Sequence, residues 1–435
     1  MSQPYRTTAV RDEIRLPGFT GPVHLPGEPG YDETRRSLNP AVDARPALVA
    51  EAYGAGDVRA ALLAARAHGV PFAVQATGHG THAPCDGGIL VRTTPMASVL
   101  VDPARRVARV GPGACWGDVL AAAAPFGLAP LSGSAPGVGV TGYTLGGGLG
   151  WLARKHGFAA DGVLRAEVLL ADGRHVTAAP DSHPDLFWAL RGGGGGFGVV
   201  TALEFRLHPV PEVFSGFVYF PIEAAARTLE AYRSWIDDAP DEISTAVVLR
   251  RMPDDEQVPA AVRGRHVVLL KVLYAGPAEQ ARRLLAPLYA AAGPALLDET
   301  RPGTYAEAAM GGTPVRHLDL FDTVPDEVLA ALVRAAETAQ TVEIRHWGGA
   351  MSRPGPDAGP VSHRSTRLSV IVDTVVPGLA EELRPYAGGG TFLNFLADPA
   401  RTAAAYTRAD YARLREVKRA YDPDAFFRVG HVIPS

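Results

Sequence analysis

Apolar positions fall at helical spacing from Asp57 to His68, where Val58, Leu62, Leu63 and Ala65 share a face and Gly69 supplies a stop. The period then shortens. Pro71 to Val74 and Gly88 to Val91 read as short strands flanking a polar Gly-His stretch. Ser98 to Val101 and Val107 to Val110 read as two more, joined by the turn that starts at Asp102. Trp116 to Ala124 is predicted as a short helix opened by Gly117 and Asp118. Leu164 to Leu170 and Arg174 to Thr177, linked by Ala171, Asp172 and Gly173, have the form of a hairpin. Pro184 to Leu190 is predicted as a helix capped by Ser182, with Val199 to Leu207 as an alternating strand after it.

Beyond His208 and Pro209 the pattern changes. Longer helices (Ile222 to Trp235, Pro277 to Ala291, Asp326 to Ala339) alternate with strands such as Val267 to Tyr274 and Leu368 to Asp373, and a last helix spans Arg408 to Tyr421. Many strands with few helices predict an α+β fold, not repeating βαβ units. A chain of 435 residues exceeds one ordinary core. The expected division is an irregular lead-in (1–40), a first domain (41–211), a second (212–388) and a C-terminal segment (389–435).

Composition mainly excludes. With 42 Lys and Arg against 46 Asp and Glu, the formal charge of -4 gives no electrostatic case for nucleic acid or an anionic membrane as partner. No run approaches eighteen apolar residues, and the first twenty positions, with Arg6, Asp12, Glu13 and Arg15, lack the apolar centre of a signal peptide. Only two cysteines occur, Cys85 and Cys115, outside any metal-spaced cluster. Neither a metal centre nor a disulfide framework is expected, a cytoplasmic location is, and both cysteines read as small apolar fillers.

Three glycine-dense stretches invite a nucleotide reading: Gly111–Gly113, Gly146–Gly150 and Gly192–Gly196. A dinucleotide fingerprint must follow a strand and open a helix. The run at Gly192 does the reverse, and the run at Gly146 has no strong strand before it. No glycine run ends in Gly-Lys-Ser/Thr, and neither a His-Glu-x-x-His helix nor a Gly-x-Ser-x-Gly elbow is present. Successive glycines still let backbone N–H groups approach an anion closely. Several such loops on a strand-rich scaffold suit an extended, phosphate-bearing cofactor, with ligand-free tight turns as the alternative.

Four ordered segments together carry a resemblance. They are Phe72-Ala-Val-Gln-Ala-Thr-Gly-His79-Gly80, then Gly137-Val-Gly-Val-Thr-Gly142-Tyr-Thr-Leu-Gly-Gly-Gly148-Leu-Gly150 running on to Gly157, then Pro184 to Thr201, and last Phe392-Leu-Asn394-Phe395 with Tyr421 to Arg428. They resemble the berberine-bridge-enzyme-like branch of the vanillyl-alcohol-oxidase type flavoproteins. The resemblance implies a two-lobe PCMH-type FAD-binding domain, a substrate domain whose antiparallel sheet covers the flavin, and a C-terminal segment returning to the first lobe. It implies FAD bonded covalently to His79, with Gln75, Ala76, Thr77, Gly78, Gly80, Val138, Gly139, Thr141, Gly142, Thr144, Gly148, Gly150, Val199 and Asn394 as cofactor-binding positions. The implied reaction is oxidation of a small organic molecule, a secondary-metabolite intermediate, by hydride transfer to flavin N5, with O2 as acceptor.

Departures from the family pattern matter as much. Ala135 stands where the family often has a second, cysteinyl attachment, so a single histidyl bond is expected. Phe392 and Phe395 replace tyrosines that serve proton transfer in many members. Alternation along the predicted strand from Thr341 to Gly349 puts Glu343, Arg345 and Trp347 on one face. Glu343 is therefore the candidate base, and Arg345 a group to bind an anion or tune Glu343, with a structural Glu–Arg pair as the alternative. Tyr143 is a candidate for the flavin face or for a core aromatic, Asn394 for the flavin edge or for a turn. His82 reads as a surface or turn residue, and His363 with Arg364 as a structural pair. The rival functions are a dehydrogenase with non-covalent FAD, and a degenerate flavoprotein that binds a ligand without redox turnover.

Overall fold

The computed structural model describes residues 14–308 and 310–435. Arg6, Asp12 and Glu13 lie outside the described residues. The described part of the lead-in is less irregular than expected, with a two-residue strand at Val23–His24 and a helical turn at Tyr31–Thr34.

Three larger sheets, with a two-stranded one between Leu128–Ala129 and His208–Pro209, organise the described residues. The first has the order Val23–His24, Leu48–Glu51, Ile89–Arg92, Phe72–Gln75, and its last three strands are parallel. Parallel pairing follows from the crossover helix Ala55–His68, which Gly69 ends in left-handed backbone at φ 64. The helix buries Val58 and Leu62 against Leu48, Phe72, Ile89 and Val91, and Phe427 joins this core from the far end of the chain. Each such fully buried side chain contributes about 1.5–3 kcal/mol. The second sheet is antiparallel, in the order Val99–Asp102, Val107–Val110, Val199–Arg206, Val163–Leu169, His175–Ala178. Its last two strands are the predicted hairpin.

The third sheet has eight antiparallel strands. Its path runs Leu297–Asp298, Val213–Pro221, His266–Tyr274, Ile243–Arg251, Thr341–His346, Leu368–Val372, His317–Phe321, and Arg301–Gly303 adds to Val213–Pro221. Helices Ala225–Trp235, Ala278–Ala292 and Asp326–Ala335 cover one face through Val247, Leu270, Val342, Ile344 and Val370. The other face turns toward the glycine segments, through Ala246, Val248 and Leu269 near one edge and Leu318, Leu320 and Ile371 near the other.

Two local expectations fail for identifiable reasons. Ser182 does not cap the helix Pro184–Leu190: its hydroxyl donates to the Thr177 carbonyl at 2.9 Å, and His183 takes the cap position in left-handed backbone. A bridge between Ala179 and Ser182 holds Ser182 to the hairpin instead. The strand from Thr341 stops at His346, because Gly348 and Gly349 turn the chain at φ 79 and 60.

Two arginines, one buried and one half-buried, fasten the third sheet to the rest. Arg154 is 3% exposed. Its guanidinium donates to the carbonyls of Ile243 (2.7 Å), Ala239 (2.9 Å), Pro240 (3.2 Å) and Trp347, and lies 2.7 Å from His346 Nε2. Arg364 holds Asp161 through two contacts of 2.7 and 3.0 Å, with its guanidinium over the Phe158 ring. Arg364 is thus a structural clamp, as its sequence reading allowed. His363 bonds the Ala404 carbonyl at 3.0 Å.

Candidate active site

Loops from separate elements converge between the first two sheets. The segment after Gln75 carries Ala76 to Gly80, and the segment after Arg92 joins it through Thr93 N–H to the Gln75 carbonyl and Thr94 Oγ1 to the Ala76 carbonyl. The turn after Val110 meets the loop Ala135–Gly142 through paired backbone bonds, Trp116 N–H to Val138 and Val140 N–H to Ala114. Gly139 closes the ring: a Cβ there would lie 3.5 Å from Thr77 Oγ1. His79 stands exposed on this rim, its N–H 3.4 Å from Thr77 Oγ1.

The residues fit an extended cofactor. A Cβ added at Gly80, Gly137 or Gly142 would meet no atom within 4 Å, so the backbone there is open to a ligand. Thr93 Oγ1 and Thr141 Oγ1 are buried without a partner among the described residues. Native proteins rarely leave buried hydroxyls unpaired, which points to a bound group. With Thr77, His79, Gly80, Val138, Gly139, Thr141 and Gly142 around it, the groove offers backbone N–H groups and small side chains to a polar chain such as a pyrophosphate.

Other sequence-selected positions lie inside the packing, and their side chains do not line the groove. Gln75 donates to the Arg36 carbonyl at 2.9 Å and accepts from Thr81, which shapes the loop below His79. Ala76 packs beside Gly139, and Gly78 needs its φ of 75 where a Cβ would strike Gln75. Thr144 Oγ1 bonds the Val140 carbonyl, and Val199 is buried in the core of the first sheet. Gly148 and Gly150 are glycine because Tyr143 Cε1 and the Ser132 carbonyl stand 2.5 and 2.1 Å from where a Cβ would be. Asn394 is a clamp, donating to the Tyr143 carbonyl and accepting from Gly148 N–H, both at 2.9 Å. That is its turn-stabilising reading, achieved across a large sequence separation. His82 is not a free surface residue; its ring meets that of His431 edge-on at 5.5 Å, and burial first, then His79, lowers its pKa. Cys85 is buried and its thiol is pushed up to about 12, as befits a filler, whereas Cys115 is only half-buried.

The third sheet supplies a polar cluster on its inward face. Lys271 pairs with Ala246, and Ala246 with Arg345, on three neighbouring strands. Glu343 stands one pair along, opposite Val248, and the small Ala246 side chain leaves Lys271 room to reach it diagonally. Lys271 Nζ lies 3.0 Å from Glu343 Oε2, which also accepts from Thr313 Oγ1 at 2.7 Å. Glu343 is 3% exposed. Burial pushes its pKa up, but the charges of Lys271 and Arg345 and the bonds from Thr313 and Lys271 outweigh it and hold the carboxyl below its ordinary value. Glu343 pairs with Lys271, not with Arg345 as the sequence alternative had it. Arg345 lies over the Trp151 ring at 4.4 Å. Tyr143, on the first lobe, packs edge-on against Trp116, and burial raises its hydroxyl well above 10.

Sequence reasoning missed Lys271, Thr313, Trp151 and Tyr305. Lys271 had a usable signal, being the one charge inside the apolar run from Val267 to Tyr274. A cavity of about 390 Å³ opens elsewhere, at the outer sheet edge between His317, Arg384 and Arg401. Phe395 lines it, and Phe392 behind packs on Gly147, so aromatic rings wall it from the glycine segments.

Comparison with known proteins agrees with this geometry. A family described as FAD binding domain matches residues 46–179, and one described as berberine and berberine like matches residues 391–434. An uncharacterised FAD-linked oxidoreductase of Bacillus subtilis is 27% identical over 96% of this chain and 98% of its own. The structure of 6-hydroxy-D-nicotine oxidase from Arthrobacter nicotinovorans superposes with a TM-score of 0.81 at 27% identity, covering 95% of this chain and 98% of that one. Xylooligosaccharide oxidase from Myceliophthora thermophila, solved with xylobiose, gives 0.80 at 26% identity over 95% and 97%. No helix among the described residues is long and apolar enough to cross a membrane. With both family domains in place and relatives alike over nearly their full length, the chain carries an FAD binding domain and a berberine-like C-terminal domain and is similar throughout to FAD-linked oxidoreductases.

Proposed function

We propose that the protein is an oxidase holding FAD through a single bond to His79 and oxidising a small organic substrate, a secondary-metabolite intermediate. The observation that carries this reading is the exposed imidazole of His79 on a loop that faces Ala135–Gly142 across Thr77 and Gly139. Neutral imidazole is a competent nucleophile near neutral pH. Ala135 has no nucleophile for a second bond. When bound, FAD would supply the two-electron acceptor for a hydride from the substrate, with O2 as the final acceptor. The chain's own residues do the rest. Thr93 and Thr141 offer hydroxyls to the cofactor, and the third sheet closes the site on one side. Glu343, kept ionised by Lys271 and Thr313, is the carboxylate available to take the substrate's proton. Its lowered pKa keeps it deprotonated throughout the neutral range, so its own titration should not limit activity there. The relatives named as nicotine and sugar oxidases support an oxidase acting on small molecules.

Acid precipitation tests the proposal. The yellow colour is expected to stay with the polypeptide of the native protein and to appear wholly in the supernatant of His79→Ala. Colour released from both proteins would mean non-covalent FAD, the dehydrogenase-type alternative. A flavin that no substrate bleaches and air does not restore would instead favour ligand binding without turnover.

A further inference from the structure

Arg345 is out of balance with its surroundings. It is 6% exposed, Trp151 covers one face of its guanidinium, and Nη2 is buried without a partner among the described residues. A guanidinium carries five donors, and native interiors seldom leave such a group unmatched. One oxygen of the neighbouring carboxylate is already committed, since Glu343 Oε2 takes both Lys271 and Thr313. Two buried cations therefore face one anion. Tyr143 adds a second orphan: its hydroxyl is buried without a partner among the described residues, and it feels the charge of Arg345. The other tyrosine hydroxyls in that field are occupied, Tyr305 donating to the Ser132 carbonyl at 3.2 Å and Tyr232 to the Thr245 carbonyl at 3.1 Å. The core that holds Trp151, Tyr143 and Tyr305 is otherwise apolar, with Leu131, Met310, Ala246 and Leu269.

We infer that the missing partner is a carboxylate of the substrate, held by the edge of Arg345 with Tyr143 donating a second hydrogen bond. This deepens the oxidase reading and rests on it. One unspent cation and one hydroxyl match a planar two-oxygen anion. A phosphate dianion would need a second free cation, and the cluster has none, Lys271 being tied to Glu343. A neutral carbonyl would leave the excess charge buried. The substrate is thus an organic acid on an apolar skeleton, with Arg345 as a binding residue and Glu343 beside it for proton transfer.

The test uses the flavin-loaded enzyme and follows visible flavin absorbance during titration with benzoate and with its neutral counterpart benzamide. Benzoate is expected to bind at least about tenfold more tightly, a charge-assisted contact being the difference. Arg345→Gln should weaken benzoate by roughly ten- to a hundredfold while changing benzamide less than about twofold. Tyr143→Phe, which removes only the hydroxyl, should weaken benzoate by about three- to tenfold and serves if the arginine variant does not fold. Equal affinity for the two probes, or benzoate binding indifferent to both substitutions, would overturn the inference and leave the oxidase reading standing. So would a ligand-free Arg345→Gln protein that has lost its flavin or shows an altered flavin spectrum, since the guanidinium would then serve the cofactor. A native preparation that stays colourless with added FAD would sink both.

Discussion

Replacing Arg154 by methionine is expected to lower stability by about 3–5 kcal/mol, and to separate unfolding of the third sheet from that of the glycine-rich lobe. The side chain is buried with no carboxylate partner, yet it is well satisfied, by four carbonyls and one imidazole. Those acceptors belong to Ala239, Pro240, Ile243, His346 and Trp347, all on the third sheet or its connections. Methionine fills much of the volume and removes the donor from all five acceptors, each buried one left unpaired costing about 1–3 kcal/mol before relaxation. A typical domain has only about 5–15 kcal/mol in total. Urea unfolding followed by tryptophan fluorescence and by far-ultraviolet circular dichroism gives the check. Coincident transitions in the native protein and displaced ones in the variant are expected; an unchanged midpoint would refute the clamp. Lysine should rescue little, because three donors on a point charge cannot reach acceptors spread around a planar fork.

The second large effect concerns Glu343. Glu343→Leu strands Lys271 as a lone buried charge and should cost about 3–5 kcal/mol, whereas Glu343→Leu combined with Lys271→Met should recover most of that loss. A double-mutant cycle by chemical denaturation measures the recovery. The sign of the pH dependence follows from the depressed pKa of Glu343. Its contribution is complete above the unfolded carboxylate value and disappears as pH falls through the lower folded one. The milder Glu343→Gln keeps the shape and tests chemistry. As a general base, Glu343 is worth about 10²–10⁴ in kcat. A turnover number within threefold of native for a folded Glu343→Gln enzyme would remove it from that role.

Much of the secondary structure was legible because each element announces itself locally. Val107–Val110 and Arg408–Tyr421 occupy the predicted positions, and Gly69 ends its helix where the pattern placed it. Alternation also placed Glu343 and Arg345 on one face, opposite Ile344. The partnership of Glu343 with Lys271 was not legible. It depends on a third strand lying between theirs and on alanine at position 246, and strand order is a tertiary fact that no local period encodes. Asn394 illustrates the same limit, since its partners at Tyr143 and Gly148 lie 251 and 246 residues away. Ser182 shows a local rule losing to a neighbour, a hairpin bridge taking the hydroxyl that a cap would have used.

The buried lysine of the last long helix ties these distances to a timetable. Lys418, fully enclosed with Asp422 at 2.6 Å, donates to the carbonyls of Gly196 and Phe427. Phe427 in turn fills the core beneath the strand that leads to His79. A nascent chain still short of these residues has its glycine loops made but unsupported, so cofactor uptake is expected to follow their synthesis. Cells starved of riboflavin should therefore accumulate full-length, foldable apoprotein that becomes coloured when the vitamin returns, even with translation blocked.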